Sequence, residues 1–338
     1  MLRLVISDLH LTDDPKDAYR WDIEQWIYEK IEELPITHIY ILGDLTDKKD
    51  SHSSILVNRL TKFIKNLAKE AEIYILKGNH DYIDENNPFF GFLDYLDKVN
   101  YIKTITETET ELFIPHSKSY DMLKTLNPNN YQVIFMHCDI LGAQTSSNYR
   151  LEQGLDYNSD FFSKFTGSGI YSGHIHVPQV IGNITYIGSP YPVYFGDNFK
   201  GRALLLDENN KAEFLEIPSI RKYKIAIESI EDLKNYTFNE NDQCKIKIQL
   251  DRNNLNKWEL LATEVKKSLK EKGVDLTMVE LEIKDTDIHI LDNKQSENES
   301  DESIIKKFSN KEKLTLSYIE KGMEILYAPD SKTDNSRL

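Results

Sequence analysis

Five short polar motifs constrain this sequence most, because each of them follows a run of apolar and β-branched residues. In chain order the motifs are Asp8-Leu9-His10, Gly43-Asp44, Gly78-Asn79-His80-Asp81, His137 and Gly173-His174-Ile175-His176. Open α/β sheets bind ligands where their strands end, at the carboxyl edge. The pattern therefore predicts an α/β fold that gathers these side chains into one site.

Up to about residue 190, short strand-like runs alternate with segments of helical period, as in a layered α/β domain. The predicted strands cover residues 2–7, 38–42, 72–76, 131–136, 169–172 and 184–187. The first predicted helix ends at Pro35 and carries an apolar stripe made of Ile23, Ile27, Ile31 and Leu34. The second begins near Ser51 and Ser53, two candidate caps, and buries Leu56, Leu60, Phe63, Ile64 and Leu67.

After Pro218 the sequence has a different pattern of strand-like and helical segments. Residues 222–227, 245–250 and 276–283 alternate as strands do, and residues 255–272 have helical period before Gly273, which predicts a small α+β domain. We expect four regions: a main domain over 1–218, the small domain over 219–291, an acidic linker over 292–303 and a helical segment with its tail over 304–338. The linker has five acids against one lysine and few apolar side chains, so it cannot offset the entropy of its own ordering.

Charge and cysteine content narrow the classes of function. The chain has 41 Lys and Arg against 56 Asp and Glu, a formal net charge of −15, which opposes the basic footprint usual in nucleic-acid binding proteins. Cys138 and Cys244 are too few and too far apart for a disulfide framework or a thiolate metal site. Together with the lack of an apolar stretch of 18 residues, this indicates a cytoplasmic protein without a membrane span, in a bacterium or in the host of a phage.

The polar motifs provide seven oxygen and nitrogen donors, which suit Mn²⁺, iron or Zn²⁺ better than a soft metal. These predicted metal ligands are Asp8, His10, Asp44, Asn79, His137, His174 and His176. The set is large enough for two divalent ions bridged by Asp44, and such a pair can bind a phosphate oxygen and lower the pKa of a water to give a hydroxide nucleophile. His80 is not needed as a ligand and is a candidate catalytic residue that contacts the phosphate or protonates the leaving oxygen, with Asp81 as the residue that orients it.

These motifs resemble those of the calcineurin-like metallophosphoesterase superfamily, over roughly residues 1–190. The resemblance implies a two-sheet sandwich flanked by helices, with a small α+β capping domain and a tethered C-terminal helical segment. It also implies that Asp8, His10, Asp44 and His176 bind one ion, whereas Asp44, Asn79, His137 and His174 bind the other. His80 resembles the catalytic histidine of the family.

A second set of motifs resembles one branch of the superfamily, the SbcD-like nuclease subunits of double-strand-break repair and phage recombination. The motifs are Tyr186-Ile187-Gly188-Ser189-Pro190, Phe195-Gly196-Asp197, Gly201 and the turn from Gly43 to Asp47, in which Thr46 replaces a frequent aromatic residue. The resemblance implies a Mn²⁺-dependent exonuclease and endonuclease acting on DNA, with a cap that helps to grip it. It further implies an SMC-like, SbcC-like ATPase partner on the C-terminal segment, and a homodimer within a heterotetramer formed through residues 55–67 and 89–96.

The sequence leaves alternatives open. A stand-alone metallophosphatase or a cyclic-nucleotide phosphodiesterase would carry the same metal ligands, and a scaffold without catalysis is a third reading that the complete ligand set disfavours. His52 and His116 are either substrate contacts or ordinary structural histidines. The helices over 55–67 and 89–96 either form a dimer interface or simply cover the sheet.

Overall fold

The computed structural model describes residues 1–145, 149–152, 159–167 and 169–284. The described residues belong to one compact unit, Met1–Lys284. The expected linker over 292–303 and the helical segment over 304–338 lie outside the described residues. None of the helices among the described residues is long and apolar enough to cross a bilayer.

The described residues contain fifteen β-strands and four α-helices. The strands are β1 (Arg3–Ile6), β2 (His38–Ile41), β3 (Glu72–Leu76), β4 (Val99–Ile102), β5 (Thr106–Glu107), β6 (Glu111–Ile114), β7 (Val133–His137), β8 (Gly169–Gly173), β9 (Gln179–Ile181), β10 (Ile184–Tyr186), β11 (Arg202–Leu206), β12 (Ala212–Glu216), β13 (Lys222–Ile227), β14 (Gln243–Asp251) and β15 (Asp275–Lys284). The helices are α1 (Asp22–Glu33), α2 (Ser54–Glu70), α3 (Ser159–Phe162) and α4 (Trp258–Glu271). Short 3-10 helices cover Pro15–Trp21, Phe89–Tyr95, Asp121–Thr125, Pro128–Asn130, Ile230–Asn235 and Arg252–Lys257.

Two six-stranded sheets form the body of the protein, in the orders β12-β11-β1-β2-β3-β4 and β5-β6-β7-β8-β10-β9. Strands β1 to β4 are parallel to one another, as are β6, β7, β8 and β10. Side chains from both sheets, including Val5, Tyr40 and Phe135, share the core between them. The alternate residues Leu4 and Ile39 pack on the opposite face, among residues of α1 and α2. The predicted two-sheet sandwich flanked by helices is confirmed.

The helix α2 shows how the local sequence signals act. The Ser53 side chain accepts a hydrogen bond from the Leu56 backbone amide at 3.1 Å, so Ser53 is the N-cap. The predicted apolar stripe, from Leu56 to Leu67, is buried against the first sheet. The helix therefore covers the sheet beside the strands that carry the first polar motifs.

Residues 222–284 form a small layer with its own core, in which β13, β14 and β15 are parallel and α4 covers one face. The apolar residues of α4 pack toward the sheet, with Val265 and Leu269 fully buried. The layer is attached to the sandwich by an ion pair of 2.7 Å between Lys222 Nζ and Asp17 Oδ1. The Gln243 side-chain amide also donates to the Lys16 carbonyl at 2.5 Å. These contacts hold the small layer against the segment that follows β1.

Candidate metal centre

The predicted donors converge at one edge of the two sheets, because the strands that precede them are parallel within each sheet. Asp8 and His10 follow β1, Asp44 follows β2, and Asn79 and His80 follow β3. In the second sheet His137 ends β7, and His174 and His176 follow β8. Three groups of side chains in this region have ligand atoms within 4.8 Å of one another: Asp8, His10 and His176; His10, Asp44 and His80; and Asp44, His137 and His174.

Four of the donor residues at this edge have a strained backbone conformation, which sets the direction of their side chains. Asp8, His10, Asp44 and His174 have positive φ angles of 55°, 43°, 53° and 81°. For residues with a Cβ this left-handed region costs roughly 1–2 kcal/mol each. Hydrogen bonds between the motifs maintain it, including His10 N to the Asp44 carbonyl and His174 N to Asp8 Oδ1, both at 2.9 Å. Such strain is concentrated at functional sites, where the surrounding fold imposes it.

Asp44 stands between two groups of donors. Its Oδ2 lies 3.5 Å from His10 Nε2, and its Oδ1 lies 3.6 Å from His137 Nε2. On the first side, His10 Nε2 lies 3.0 Å from His176 Nε2. On the second side, Asn79 Oδ1 lies 2.9 Å from His137 Nε2 and 2.7 Å from His174 Nδ1. The two oxygens of one buried carboxylate therefore face two clusters, as a bridging ligand requires.

The residues at this site fit divalent cations. Asp8 Oδ2 is buried and has no hydrogen-bond partner, which is costly for a carboxylate oxygen. Burial and the negative charge of Asp44 raise the pKa of Asp8 to about 7. Burial also lowers the pKa of His137 to about 3 and holds that of His176 well below its usual value, so both rings are neutral and keep a lone pair for a metal. A cation would satisfy the free oxygen and neutralise the paired carboxylates.

Asp81 has a different position from the one expected. Its carboxylate accepts hydrogen bonds from the backbone amides of Asp44, Leu45 and Gly78 at 3.1, 3.1 and 2.6 Å. It therefore fastens the turn after β2 to the turn after β3. His80 is oriented instead by the Asp47 carbonyl, which lies 2.7 Å from Nδ1. The expectation that Asp81 orients His80 is therefore corrected. Because His80 donates Nδ1–H to the Asp47 carbonyl, its Nε2 is left to contact a substrate.

Asp139 is a site residue that our sequence reasoning missed. Its Oδ1 lies 2.5 Å from His174 Nε2, on the opposite side of the ring from the cluster. Burial opposes protonation of His174, but the Asp139 carboxylate raises its pKa, and the hydrogen bond fixes which nitrogen faces the cluster. Its place two residues after His137, at the end of β7, is the signal that could have identified it.

Replacing Asp139 with asparagine is expected to weaken metal binding by about 10–100-fold, because the carboxylate orients His174 and increases its basicity. Isothermal titration of metal-free protein with Mn²⁺ would measure the change. Asp121→Asn is a matched control, since Asp121 is exposed and pairs with Lys124. Equal dissociation constants for Asp139→Asn and the wild type would contradict this role.

Gly43 is required at the turn that carries Asp44. Its φ is +88°, and a Cβ there would clash with His137 Nδ1 and lie 2.9 Å from Gly78 Cα. Gly142 has a similar φ of +87°, but a Cβ there would meet nothing within 4 Å. The two glycines therefore differ in packing and not in backbone conformation.

Gly43→Ala is expected to lower the free energy of unfolding by about 2–4 kcal/mol, which combines the cost of positive φ with overpacking. Gly142→Ala, the control, incurs only the first of these costs, about 1–2 kcal/mol. Urea denaturation would measure both values. Equal destabilisation by the two substitutions would show that the Gly43 turn is not tightly packed against His137.

A cleft of about 250 Å³ opens over the two clusters, and Asn79, His80, His174, His176 and Tyr194 are among the residues that line it. The Tyr194 ring stacks on His176, with centroids 5.2 Å apart. The other two candidate histidines, His52 and His116, are not among the residues that line the cleft. His116 stacks on His174 at 5.8 Å, whereas His52 packs against Phe89 and Phe90. The cleft therefore presents His80 and the two clusters to a ligand.

Comparison with known proteins identifies one matching family and two similar viral proteins. The sequence model of the family described as calcineurin-like phosphoesterase matches residues 1–178. The chain is 27% identical over 233 residues to "Putative phosphoesterase 244L" of Invertebrate iridescent virus 6, covering 62% of this chain and 76% of the relative. It is 24% identical over 244 residues to "Putative phosphoesterase 078R" of Invertebrate iridescent virus 3, covering 64% and 66%.

Two solved structures show partial likeness. Pseudomonas putida nuclease MPE is 12% identical with a TM-score of 0.28, over 44% of this chain and 66% of that chain. Yfce, a phosphoesterase from E. coli, is 15% identical with a TM-score of 0.32, over 64% of this chain and 100% of that chain.

Proposed function

The chain belongs to the calcineurin-like phosphoesterase family, and from this premise we propose that it is a Mn²⁺-dependent DNA nuclease, the nuclease subunit of an SbcCD-like recombination and repair complex. Members of the family are phosphoesterases that use divalent metal ions, and this chain has His and Asp clusters able to bind them. The observation that carries the proposal is the position of Asp44, whose two oxygens face two donor clusters beside His80.

Each residue of the centre has a role in the proposal. Asp8, His10, Asp44 and His176 would hold one ion, and Asp44, Asn79, His137 and His174 the other. When bound, the ions supply Lewis-acid stabilisation of phosphate oxygens and activation of water. His80, oriented by the Asp47 carbonyl, contacts the scissile phosphate and assists the departure of the leaving oxygen. Asp81 acts as a positioning residue by fixing the backbone around Asp44.

The segment that resembles SbcD-like nucleases lies against the centre, which supports this branch of the family. Ser189 N donates to the His176 carbonyl at 3.0 Å, and Gly188, with φ +84°, leaves room for the same carbonyl. Asp197 accepts hydrogen bonds from Val193 N and Tyr194 N at 2.9 Å each. The segment thus positions both His176 and the ring that stacks on it.

We also propose that the protein forms a homodimer through α2 and the 3-10 helix Phe89–Tyr95. Both segments expose large apolar side chains, since Ile55 is 71% and Tyr95 90% exposed. The second proposed partner is an SMC-like ATPase bound by the segment over 304–338. Ending the chain at residue 291 is expected to abolish the ATP-stimulated DNA processing that this protein and the ATPase carry out together. Unchanged processing would contradict the proposal that the ATPase binds this segment.

The substrate is tested by supplying purified protein with Mn²⁺, Mg²⁺ or a chelator and comparing single-stranded, blunt duplex and hairpin DNA with p-nitrophenyl phosphate esters. We expect Mn²⁺-dependent cleavage of DNA and of the diester bis-p-nitrophenyl phosphate, and neither reaction in chelator. A stand-alone phosphatase would instead hydrolyse the monoester and leave DNA intact. A cyclic-nucleotide phosphodiesterase would hydrolyse cyclic nucleotides and also leave DNA intact. Either of these results would refute the nuclease proposal.

A further inference from the structure

A second cleft, of about 390 Å³, adjoins the metal centre where the small layer meets the sandwich. Four cationic side chains line it, Arg20, Lys222, Lys224 and Lys245. Two carboxylates, Asp17 and Asp47, are also in its wall. The cleft therefore has an excess of positive charge, although the whole chain has a formal net charge of −15.

Two of these cations are already neutralised within the protein. Arg20 lies 3.2 Å from both the Asp17 and the Asp47 carboxylates, and it donates to the His10 carbonyl at 2.5 Å. The Lys222 ammonium lies 2.7 Å from Asp17 and donates to the Val193 carbonyl at 3.3 Å. These contacts attach the small layer to the sandwich and support the His10 backbone. Arg20 and Lys222 therefore stabilise the fold, and their charges are already paired.

Lys224 and Lys245 have no such partner: within the part of the chain that the structure describes, neither forms an ion pair with a carboxylate. They are register partners on the neighbouring strands β13 and β14, so their side chains leave the same face of the sheet. Like charges directly opposite each other destabilise a sheet. The Lys245 ammonium lies 4.5 Å from the centroid of the Phe195 ring, a contact that uses none of its hydrogen-bond donors. An anion in the cleft would relieve the repulsion between the two lysines.

The two clefts adjoin at one shared lining residue. Tyr194 lines both of them, and its ring stacks on His176. Asp47 lies in the wall of the second cleft while its carbonyl orients His80. A substrate that places one phosphate at the metal centre can therefore extend past Tyr194 toward Lys224 and Lys245.

We propose that this cleft is a subsite for a second, non-scissile phosphodiester of a polynucleotide strand, bound by Lys224 and Lys245 beside the Phe195 ring. The inference rests on the proposed nuclease function and adds a determinant of specificity to it. Substrates with a phosphate beyond the scissile one gain affinity from the two lysines. A small diester without a second phosphate gains nothing.

Binding without turnover tests the subsite. The anisotropy of a short, labelled single-stranded oligodeoxynucleotide would be titrated with the full chain in chelator at several salt concentrations. For Lys224→Ala/Lys245→Ala we expect roughly tenfold weaker binding and a slope of log K against log salt smaller by about 0.7, since the two lysines bind one phosphate and each phosphate contact with a single strand contributes about 0.7. Lys270→Ala is the control for charge, because Lys270 is exposed on α4, which covers the opposite face of the same sheet. Wild-type affinity and slope in the double variant, or no binding by the wild type, would overturn the inference.

Measurements of hydrolysis distinguish a failure of the subsite proposal from a failure of the nuclease proposal on which it rests. With Mn²⁺ the double variant is expected to raise KM for the oligonucleotide roughly tenfold and to leave hydrolysis of bis-p-nitrophenyl phosphate unchanged. Equal loss on both substrates, or on neither, would overturn the subsite and leave the nuclease proposal standing. An oligonucleotide that the wild type cannot cleave would refute the nuclease proposal itself, whatever the anisotropy shows.

Discussion

His80→Gln is expected to lower kcat for bis-p-nitrophenyl phosphate by about 10²–10⁴-fold, the usual contribution of a general acid or base. The metal content should stay at the wild-type value. The physical reason is the hydrogen bond of His80 Nδ1 to the Asp47 carbonyl at 2.7 Å, which directs the other ring nitrogen to the cleft. Glutamine keeps a polar side chain of similar reach but cannot transfer a proton at neutral pH. Steady-state kinetics and elemental analysis of desalted protein would measure the two quantities.

The structure makes this experiment decisive, because His80 also lies within ligand distance of His10 and Asp44. If His80 were a ligand, the variant would lose an ion together with its activity. His116→Gln provides the matched control, since His116 stacks on His174 but belongs to none of the three ligand groups among the described residues. We expect His116→Gln to have a smaller effect on kcat. Loss of metal from His80→Gln, or unimpaired turnover, would refute the assigned role.

Asp44→Asn is expected to have the largest effect, a fall in phosphoesterase activity of about 10⁴-fold or more, with loss of both ions. The substitution preserves the size of the side chain but removes the charge from the carboxylate whose two oxygens face both clusters. Burial alone would raise the pKa of Asp44, but the electrostatic attraction of the surrounding histidines outweighs this effect and holds the pKa below its usual range. The carboxylate is therefore ionised and ready to bridge two cations.

Two measurements check this result. Elemental analysis would count the retained ions, and thermal denaturation with and without Mn²⁺ would show whether the rise in Tm caused by metal binding disappears. Asp94→Asn is the control, because Asp94 accepts a hydrogen bond from Tyr101 N at 2.8 Å in the same sheet, within the sandwich but outside the three ligand groups. An Asp44→Asn protein that still binds two ions would show that another group bridges them.

The predicted strands follow apolar and β-branched runs, but two other strands that are buried over most of their length, β6 and β11, were not predicted. Strands β2 and β3 consist mainly of β-branched and aromatic residues, and such continuous apolar runs are typical of central parallel strands. Strand β12 was missed because Ala212–Glu216 is largely exposed and reads as polar, and it is a strand only because β11 pairs with it. Strand β5 has two residues, too few for any period. Edge pairing depends on the tertiary partner, which the local sequence does not specify.

The convergence of the candidate donors could be predicted, since each motif lies at or just after the end of a strand. The contacts around the donors could not. Asp81 follows His80 in the chain, yet its carboxylate binds amides of a turn 36 and 37 residues earlier. Likewise, His80 is oriented by a main-chain carbonyl, a group that every residue has and that no sequence motif marks. Contacts of this kind arise only when the two strand ends are brought side by side.

The left-handed backbone at Asp8, His10, Asp44 and His174 has a consequence for where the geometry of the centre comes from. Hydrogen bonds between motifs that lie far apart in the sequence offset the conformational cost of this backbone. The folded chain therefore holds the donors rigidly. A peptide containing any one motif alone would lack that rigidity, so the centre is a property of the folded chain and not of its separate fragments.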